Sequence, residues 1–299
     1  MKNTLIITIN YRYLEQSIVT LLSVLEFNKF DFIKVYCIGF TEEEMQIIIN
    51  RYTCIPMLKD VELVPFESIH LDKKINDWTY GYADLVATRI KIFDELSKCD
   101  TDNVYTLLDV DIVVKGSLKD VYNICAKTKC DLIGVEEVDV FKRWHDCGST
   151  KVLTIPYLNA GFLVVKKINK GIFKRFQDWF VKFYNDTTCI EQDFLNYEYN
   201  YNKQPIIPIY NFLHWNAKFY CYNYSDVIVF HYAGTEKPFN FTNVLEHLPL
   251  CFYVEFVNKY QKYLSEQFVK KVNLHQQLEQ QNKCVINNVI HDKNQIKVM

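Results

Sequence analysis

The sequence lacks what would send a chain to a membrane, a nucleic acid or a disulfide scaffold. No run of about 18 apolar residues occurs in its 299 positions, so no transmembrane segment is expected. The first apolar stretch, Leu5 to Ile9, is interrupted by Thr8 and followed at once by polar residues. It is too short for the core of a signal peptide and reads as a first β-strand. Positive charge is not in excess. The 34 Lys and Arg face 36 Asp and Glu, a formal net charge of −2, which gives no long-range field toward DNA or RNA. The ten cysteines include no CxxC pair and no zinc-type spacing, so reduced thiols in a cytoplasmic protein are expected. Glycine and proline are scarce (8 and 7) beside abundant Tyr, Asn, Ile and Lys, a bias that speaks of the genome more than of a function. The three Asn-x-Ser/Thr sequons, at Asn185, Asn223 and Asn240, read as accidents of that composition. No internal repeat is visible.

What remains is globular: 49% of residues are apolar and 15% aromatic. The length sits near the upper limit for one hydrophobic core, so one large α/β domain is expected. The periodicity predicts strands over Leu5–Ile9, Phe32–Ile38, Val61–Pro65 and Val104–Leu108, with helices over Leu14–Phe27 and Tyr82–Leu96 between them. Thr41 followed by Glu44 is a capping-box start for a further helix. Such alternation means crossover units and a mostly parallel sheet, whose ligands sit at the carboxyl ends of the strands. Beyond residue 115 the pattern loosens, with strands expected over Leu132–Val135, Phe162–Val165 and Val227–Phe230 and helices over Phe173–Tyr184 and Gln192–Tyr199. From Leu250 an amphipathic helix is predicted to run to about Leu278, striped by Phe252, Phe256, Tyr260, Leu264 and Phe268, with a polar tail after it.

Two segments carry chemistry. Tyr105-Thr-Leu-Leu-Asp109-Val-Asp111 ends an apolar run in two carboxylates. In an extended strand residues i and i+2 share a face, so both could aim hard oxygens at one Mg²⁺ or Mn²⁺. The same pair also fits a solvated strand end, or the nucleophile motif of haloacid-dehalogenase-type phosphatases. The second segment, Val227-Ile-Val-Phe-His231-Tyr-Ala-Gly234-Thr-Glu-Lys237-Pro238-Phe239, delivers a histidine from a strand, then a glycine and a lysine. Glycine allows close backbone approach to a ligand, and lysine supplies a point charge for phosphate. Taken alone, His231 reads first as a structural histidine and only second as a ligand.

Together these motifs resemble glycosyltransferase family 8, which includes glycogenin and bacterial galactosyl- and glucosyltransferases of surface-glycan assembly. Further segments are similar in order and spacing: Thr8-Ile-Asn10-Tyr11, Ala87-Thr-Arg89-Ile, Tyr157-Leu-Asn159-Ala160-Gly161 and Glu191-Gln192-Asp193-Phe-Leu-Asn196. The likeness covers about residues 4–242. It implies a GT-A fold with a C-terminal helical extension (residues 1–249 the transferase domain, 250–299 the amphipathic helix and tail). It also implies a UDP-sugar donor, Mn²⁺ with Mg²⁺ as substitute, and retention of anomeric configuration. By motif position, Asp109, Asp111 and His231 would hold the metal. Thr8, Asn10, Tyr11, Asp109, Val110, Gly234 and Lys237 would meet the nucleotide. Arg89, Asn159, Ala160, Glu191 and Gln192 would line the sugar, with Gln192 and Glu191 at the reacting carbon. The acceptor, whether glycan, lipid-linked or protein, is not written in the sequence, and the late helix reads as a docking helix or dimer seam.

Three positions depart from the family pattern. Glu191 stands where Asp is usual, Phe239 replaces Trp, and Ile9 fills a place often acidic or polar. Two other readings remain open: a phosphohydrolase using Asp109 as nucleophile, and a degenerate transferase fold kept as a binding protein.

Overall fold

The computed structural model describes residues 1–71, 83–99, 102–137, 154–187, 189–213, 223–233, 250–277 and 280. Within them the chain sets down β1 (Lys2–Ile9), α1 (Leu14–Phe27), β2 (Phe32–Ile38), α2 (Glu42–Thr53), β3 (Glu62–Phe66), α3 (Ala83–Leu96), β4 (Asn103–Leu108) and β5 (Ile112–Val114). It continues with α4 (Lys119–Lys127), β6 (Leu132–Glu136), β7 (Leu158–Val165), α5 (Ile172–Phe183), α6 (Ile190–Glu198), β8 (Lys203–Ile206), β9 (Val229–His231) and α7 (Cys251–Lys259).

Continuous apolar runs make strands that are buried on both faces, as a central parallel sheet requires. Side chains alternate between the faces. In β1, Leu5, Ile7 and Ile9 enter one core cluster and Ile6 the other; in β2, Val35 and Cys37 go one way, Tyr36 and Ile38 the other. The first cluster is covered by α1, α2, α4 and the C-terminal helices, the second by α3, α5 and α6. The result is a three-layer α/β/α arrangement. Seven strands run in the order β3-β2-β1-β4-β7-β6-β8. Pairings are parallel except the two made by β7, which lies antiparallel to β4 and β6. The carboxyl ends of β1, β4 and β6 therefore open on the same edge. A separate two-stranded antiparallel ladder, β5–β9, pairs Ile112 with His231 and stands beyond β4; β5 is the β-branched run Ile112-Val-Val114, which the strand expected over Val104–Leu108 stops short of.

The capping box of α2 is present in full: Thr41 accepts from Glu44 N, and Glu44 accepts from Thr41 N. The predicted helix from Leu250 does not run through. It stops after Lys259, passes a 3₁₀ turn at Gln261–Tyr263, and resumes over residues 266–277; Leu278 lies outside the described residues. The break does not lose the stripe, since Phe256, Tyr260, Leu264, Phe268 and Val272 all pack into the first core cluster. Side-chain ties dock this segment: Arg51 donates to Glu15 and to the Tyr263 carbonyl, and Lys259 and Tyr260 both meet Glu26. No helix among the described residues is long and apolar enough to cross a membrane.

Candidate active site

The site forms where β4 ends. Asp109 and Asp111 do not lie on one strand, as the i, i+2 argument supposes; they flank a turn between β4 and β5. Helix α1 fixes that turn. Thr20 Oγ1 contacts both the Val110 and Ile112 carbonyls (2.9 and 2.8 Å), and Val114 N donates to Ser23 Oγ (3.1 Å). Asp109 N in turn donates to the Gly161 carbonyl of β7 at 2.9 Å. The β5–β9 ladder then brings His231 opposite Ile112, so its ring faces the aspartates. His231 Nε2 stands 3.4 Å from Asp111 Oδ1 and 3.7 Å from Asp109 Oδ2. One ligand atom from each of the three residues lies within 4.8 Å of the others.

These residues fit a divalent cation. At metal–ligand bonds of about 2.1 Å, adjacent ligand atoms on an octahedral ion are about 3.0 Å apart and opposite ones about 4.2 Å; the 3.4 and 3.7 Å separations from His231 Nε2 fall between these. Two carboxylates with one imidazole suit Mn²⁺ or Mg²⁺ better than a soft ion. The histidine can sit there because residue 161 is glycine. A Cβ at that position would lie 2.1 Å from His231 Cε1 and 2.5 Å from Nδ1.

Beside the trio, Arg89 of α3 is buried and reaches across the cleft. It donates to Asp109 Oδ1 at 2.7 Å, to Glu191 Oε2 at 3.3 Å and to the Ala160 carbonyl at 3.3 Å, and its Nε lies 3.1 Å from Glu191 Oε1. Asp109 thus splits its oxygens, one toward the arginine and one toward His231. Burial would depress its guanidinium, but Glu191 and then Asp109 outweigh that and hold its pKa above the ordinary value. Burial pushes the Glu191 carboxyl up to about 7, against the downward pull of Arg89. Glu191 Oε1 is buried and, despite its proximity to Arg89 Nε, has no directed hydrogen bond among the described residues.

Gln192, one residue on, has its oxygen 2.9 Å from Ala160 N and its amide nitrogen 2.7 Å from Glu137 Oε2. Asn159 donates to the same Glu137 oxygen at 3.0 Å. Helix α6 is held against β7 by Asn196, whose amide bonds both the N–H and the carbonyl of Leu158 at 2.7 Å. Lys203 of β8 completes that joint. Its buried ammonium donates to Asn196 Oδ1 and Thr154 Oγ1, and desolvation pushes its pKa down to about 8.

Toward the other edge, a cavity of about 650 Å³ opens at the carboxyl ends of β1, β2 and β3, lined in part by Asn10, Gly39, Phe40, Ser68 and Asp84. Asn10 lines it while capping the turn after β1 through Arg12 N, and Tyr11 stands half in solvent with its ring edge-on to Phe40 at 5.7 Å. Thr8, the last predicted nucleotide contact on β1, pairs with Tyr36 of β2. Gly234 and Lys237 lie outside the described residues. The other sequence-predicted site residues fall into two groups. The metal trio, with Val110 between its aspartates, gathers with Arg89, Asn159, Ala160, Glu191 and Gln192, while Thr8, Asn10 and Tyr11 sit at the end of β1. Sequence reasoning missed Glu137 and Asn211. Glu137 had a signal, since it follows β6 as Asp109 follows β4, but Asn211 follows a short 3₁₀ turn with no pattern of its own.

The family model for glycosyl transferase family 8 matches residues 4–243. The chain belongs to that family. No curated protein sequence matches it significantly. Among solved structures, the family 8 chain is similar to the galactosyltransferase LgtC in complex with donor and acceptor sugar analogues. The TM-score is 0.67 at 17% identity, over 90% of this chain and 99% of that one. It is also similar to the glycosyltransferase GlyE of Streptococcus pneumoniae, with a TM-score of 0.60 at 18% identity, over 91% of this chain and 64% of that one. Mouse xyloside xylosyltransferase 1 follows at a TM-score of 0.50 and 13% identity, over 79% of this chain and 98% of that one. At these identities the likeness is one of fold, and the family 8 chain has the GT-A fold that its strand order describes.

Proposed function

We propose that the chain transfers a hexose, glucose as first choice, from a UDP-sugar to an acceptor hydroxyl with retention of anomeric configuration and with the help of Mn²⁺. The observation that carries this reading is the convergence of Asp109, Asp111 and His231, far apart in sequence, beside the buried Arg89–Glu191 pair. A cation held by the trio would neutralise charge on the departing nucleotide diphosphate.

The remaining roles belong to the chain's own side chains. Asn10, which lines a cavity large enough for a nucleoside, and Tyr11, whose ring meets Phe40 of that lining, would receive the uracil. Arg89 orients Glu191, whose Oε1 is ion-paired with Arg89 but takes no directed hydrogen bond, and so is suited to accept one from a sugar hydroxyl. The Gln192 amide is a poor nucleophile and is restrained at both ends, which suits it to steady an oxocarbenium-like centre electrostatically. Retention would then proceed by attack on the face from which the nucleotide leaves. Lys237 would meet the diphosphate. The phosphohydrolase alternative falls with the family assignment. The degenerate-scaffold reading is disfavoured by the intact trio.

The test is UDP release across a panel of UDP-sugars, with and without Mn²⁺, followed by NMR of the product anomer. Asp109→Asn and Asp111→Asn should each lose nearly all release, because a neutral amide replaces a charged ligand. Full activity in EDTA, or an inverted anomer, would reject the proposal.

A further inference from the structure

Between the metal trio and the sugar-facing glutamine runs an unbroken line of buried polar side chains. His231 Nδ1 lies 3.0 Å from Asn211 Oδ1. Asn211 Nδ2 lies 2.8 Å from Asn159 Oδ1, and Asn159 Nδ2 lies 3.0 Å from Glu137 Oε2. The same Glu137 oxygen takes Gln192 Nε2 at 2.7 Å. Asn211 is 0% exposed, and His231, Glu137, Asn159 and Gln192 are each at least nine-tenths buried, so water does not serve these groups in place of one another.

The direction of every bond follows from groups whose roles are not in doubt. A backbone N–H only donates, and Gly161 N stands 2.9 Å from one end of the Asn159 amide, so that end is the oxygen. A carboxylate only accepts, so the other end, facing Glu137, is the NH₂. The Asn159 oxygen therefore receives the NH₂ of Asn211, which leaves the Asn211 oxygen turned to His231. An oxygen there accepts from Nδ1–H alone. A proton is therefore on Nδ1, and in the neutral ring the lone pair is on Nε2, the atom that faces Asp109 and Asp111. At the far end, Ala160 N fixes the Gln192 oxygen in the same way and turns its NH₂ to Glu137. Reversing Asn159 or Gln192 would set acceptor against acceptor at one of these contacts and donor against donor at another, and reversing Asn211 would set its oxygen against the oxygen of Asn159.

We propose that Asn211 is a positioning residue that serves both halves of the site. It holds His231 in the tautomer that offers Nε2 to a divalent cation, and through Asn159 and Glu137 it braces the Gln192 amide beside the sugar. This rests on reading the trio as a cation site and Gln192 as sugar-facing. Bonds of this kind to the second nitrogen of a ligating histidine are worth about 10–100-fold in metal affinity or activity.

Two substitutions separate the branches. Asn211→Asp keeps an oxygen for His231 but turns a second oxygen on Asn159, so it breaks only the branch toward Glu137 and Gln192. Asn211→Leu removes both. The measurements are Mn²⁺ binding without donor by electron paramagnetic resonance, the His231 tautomer by ¹⁵N–¹H correlation of the imidazole, and kcat and KM for donor hydrolysis. The wild-type His231 should show Nδ1–H. Asn211→Asp should keep that signature and Mn²⁺ affinity within a few-fold, yet lose about tenfold in kcat at unchanged KM. Asn211→Leu should lose the Nδ1–H signature and about 10–100-fold in Mn²⁺ affinity. Nε2–H in the wild type, unchanged Mn²⁺ affinity in a folded Asn211→Leu, or unchanged kcat in Asn211→Asp would each overturn the proposal. If Asn211→Leu fails to fold, the wild-type tautomer and the Asn211→Asp kinetics decide the matter. If the wild type binds no Mn²⁺, the metal reading fails separately, and the tautomer still tests the direction of the line.

Discussion

Gly161→Ala is a one-methyl test of the metal geometry. The added Cβ would fall 2.1 Å from His231 Cε1, 2.5 Å from Nδ1 and 2.8 Å from Nε2, all inside the 3.0 Å below which something must shift. Restoring an ordinary contact of 3.4 Å requires the ring to retreat by about 1.3 Å. Metal–ligand distances tolerate roughly 0.2 Å, so a retreat of this size takes Nε2 out of bonding range. It would also stretch the 3.0 Å contact to Asn211 past the useful limit of a hydrogen bond. The expected loss in Mn²⁺ affinity is about 10–100-fold, or about 1.4–2.8 kcal/mol, with a further stability cost of about 1–3 kcal/mol from overpacking. Gly134→Ala is the control. Its Cβ would meet Leu163 Cδ2 at 2.8 Å, the movable tip of an apolar side chain away from the trio. That variant should lose stability and keep its metal. The assay is Mn²⁺ titration monitored by paramagnetic resonance, with thermal denaturation of the same samples. Wild-type Mn²⁺ affinity in folded Gly161→Ala would refute the reasoning, because the ring would then not be seated where this geometry requires.

Three more outcomes are expected. Arg89→Lys keeps the charge but loses the planar fork that reaches Asp109, Glu191 and the Ala160 carbonyl together, so kcat for donor hydrolysis should fall about tenfold or more; a change under twofold would mean that charge alone suffices. With a carboxyl pKa of about 7, Glu191 should protonate as the pH drops from about 8 to about 6, lowering kcat/KM for the donor, whereas Glu191→Gln should show no such step. Stability moves oppositely: the native state binds this proton more tightly than the unfolded chain, so the contribution of Glu191 grows as pH falls from about 7 toward 4.5. Lys203→Met strands the acceptors of Asn196 and Thr154 in a buried place, and chemical denaturation should report a loss of about 1–3 kcal/mol with Mn²⁺ affinity unchanged.

The legible parts of the sequence were those in which one local signal sufficed. Helix α1 and strand β2 have the predicted ends, and the Thr41 cap forms, because apolar spacing and capping chemistry act over a few residues. Strand β7 is longer than Phe162–Val165 because Asn159 interrupts its apolar run, and its polarity is satisfied by Glu137, Asn211 and Gly161, partners invisible in a local window. The late helix breaks at Tyr260 although its stripe continues, since burial of Tyr260 and Leu264 in the core outweighs helical continuity there. The metal trio was legible as motifs, but not the means by which it assembles: the two aspartates flank a turn pinned by Thr20, and His231 arrives by a ladder with a three-residue strand whose partner no local window reveals. Asn211 was hidden for the same reason. Its role exists only in three dimensions.

The three-rung ladder between β5 and β9 has a consequence for how such a chain can diverge. Coordination distance is set by which residue faces His231 across the rungs, here Ile112, and not by the length of chain that separates them. Surface loops between the two strands can grow, shrink or change character as acceptors change, while the cation site passes unaltered from ancestor to descendant. A single-residue deletion inside Ile112–Val114 or Val229–His231 is a different event. The side-chain period of a strand is two, so a slip by one rung would turn the imidazole to the opposite face and abolish the site in one step.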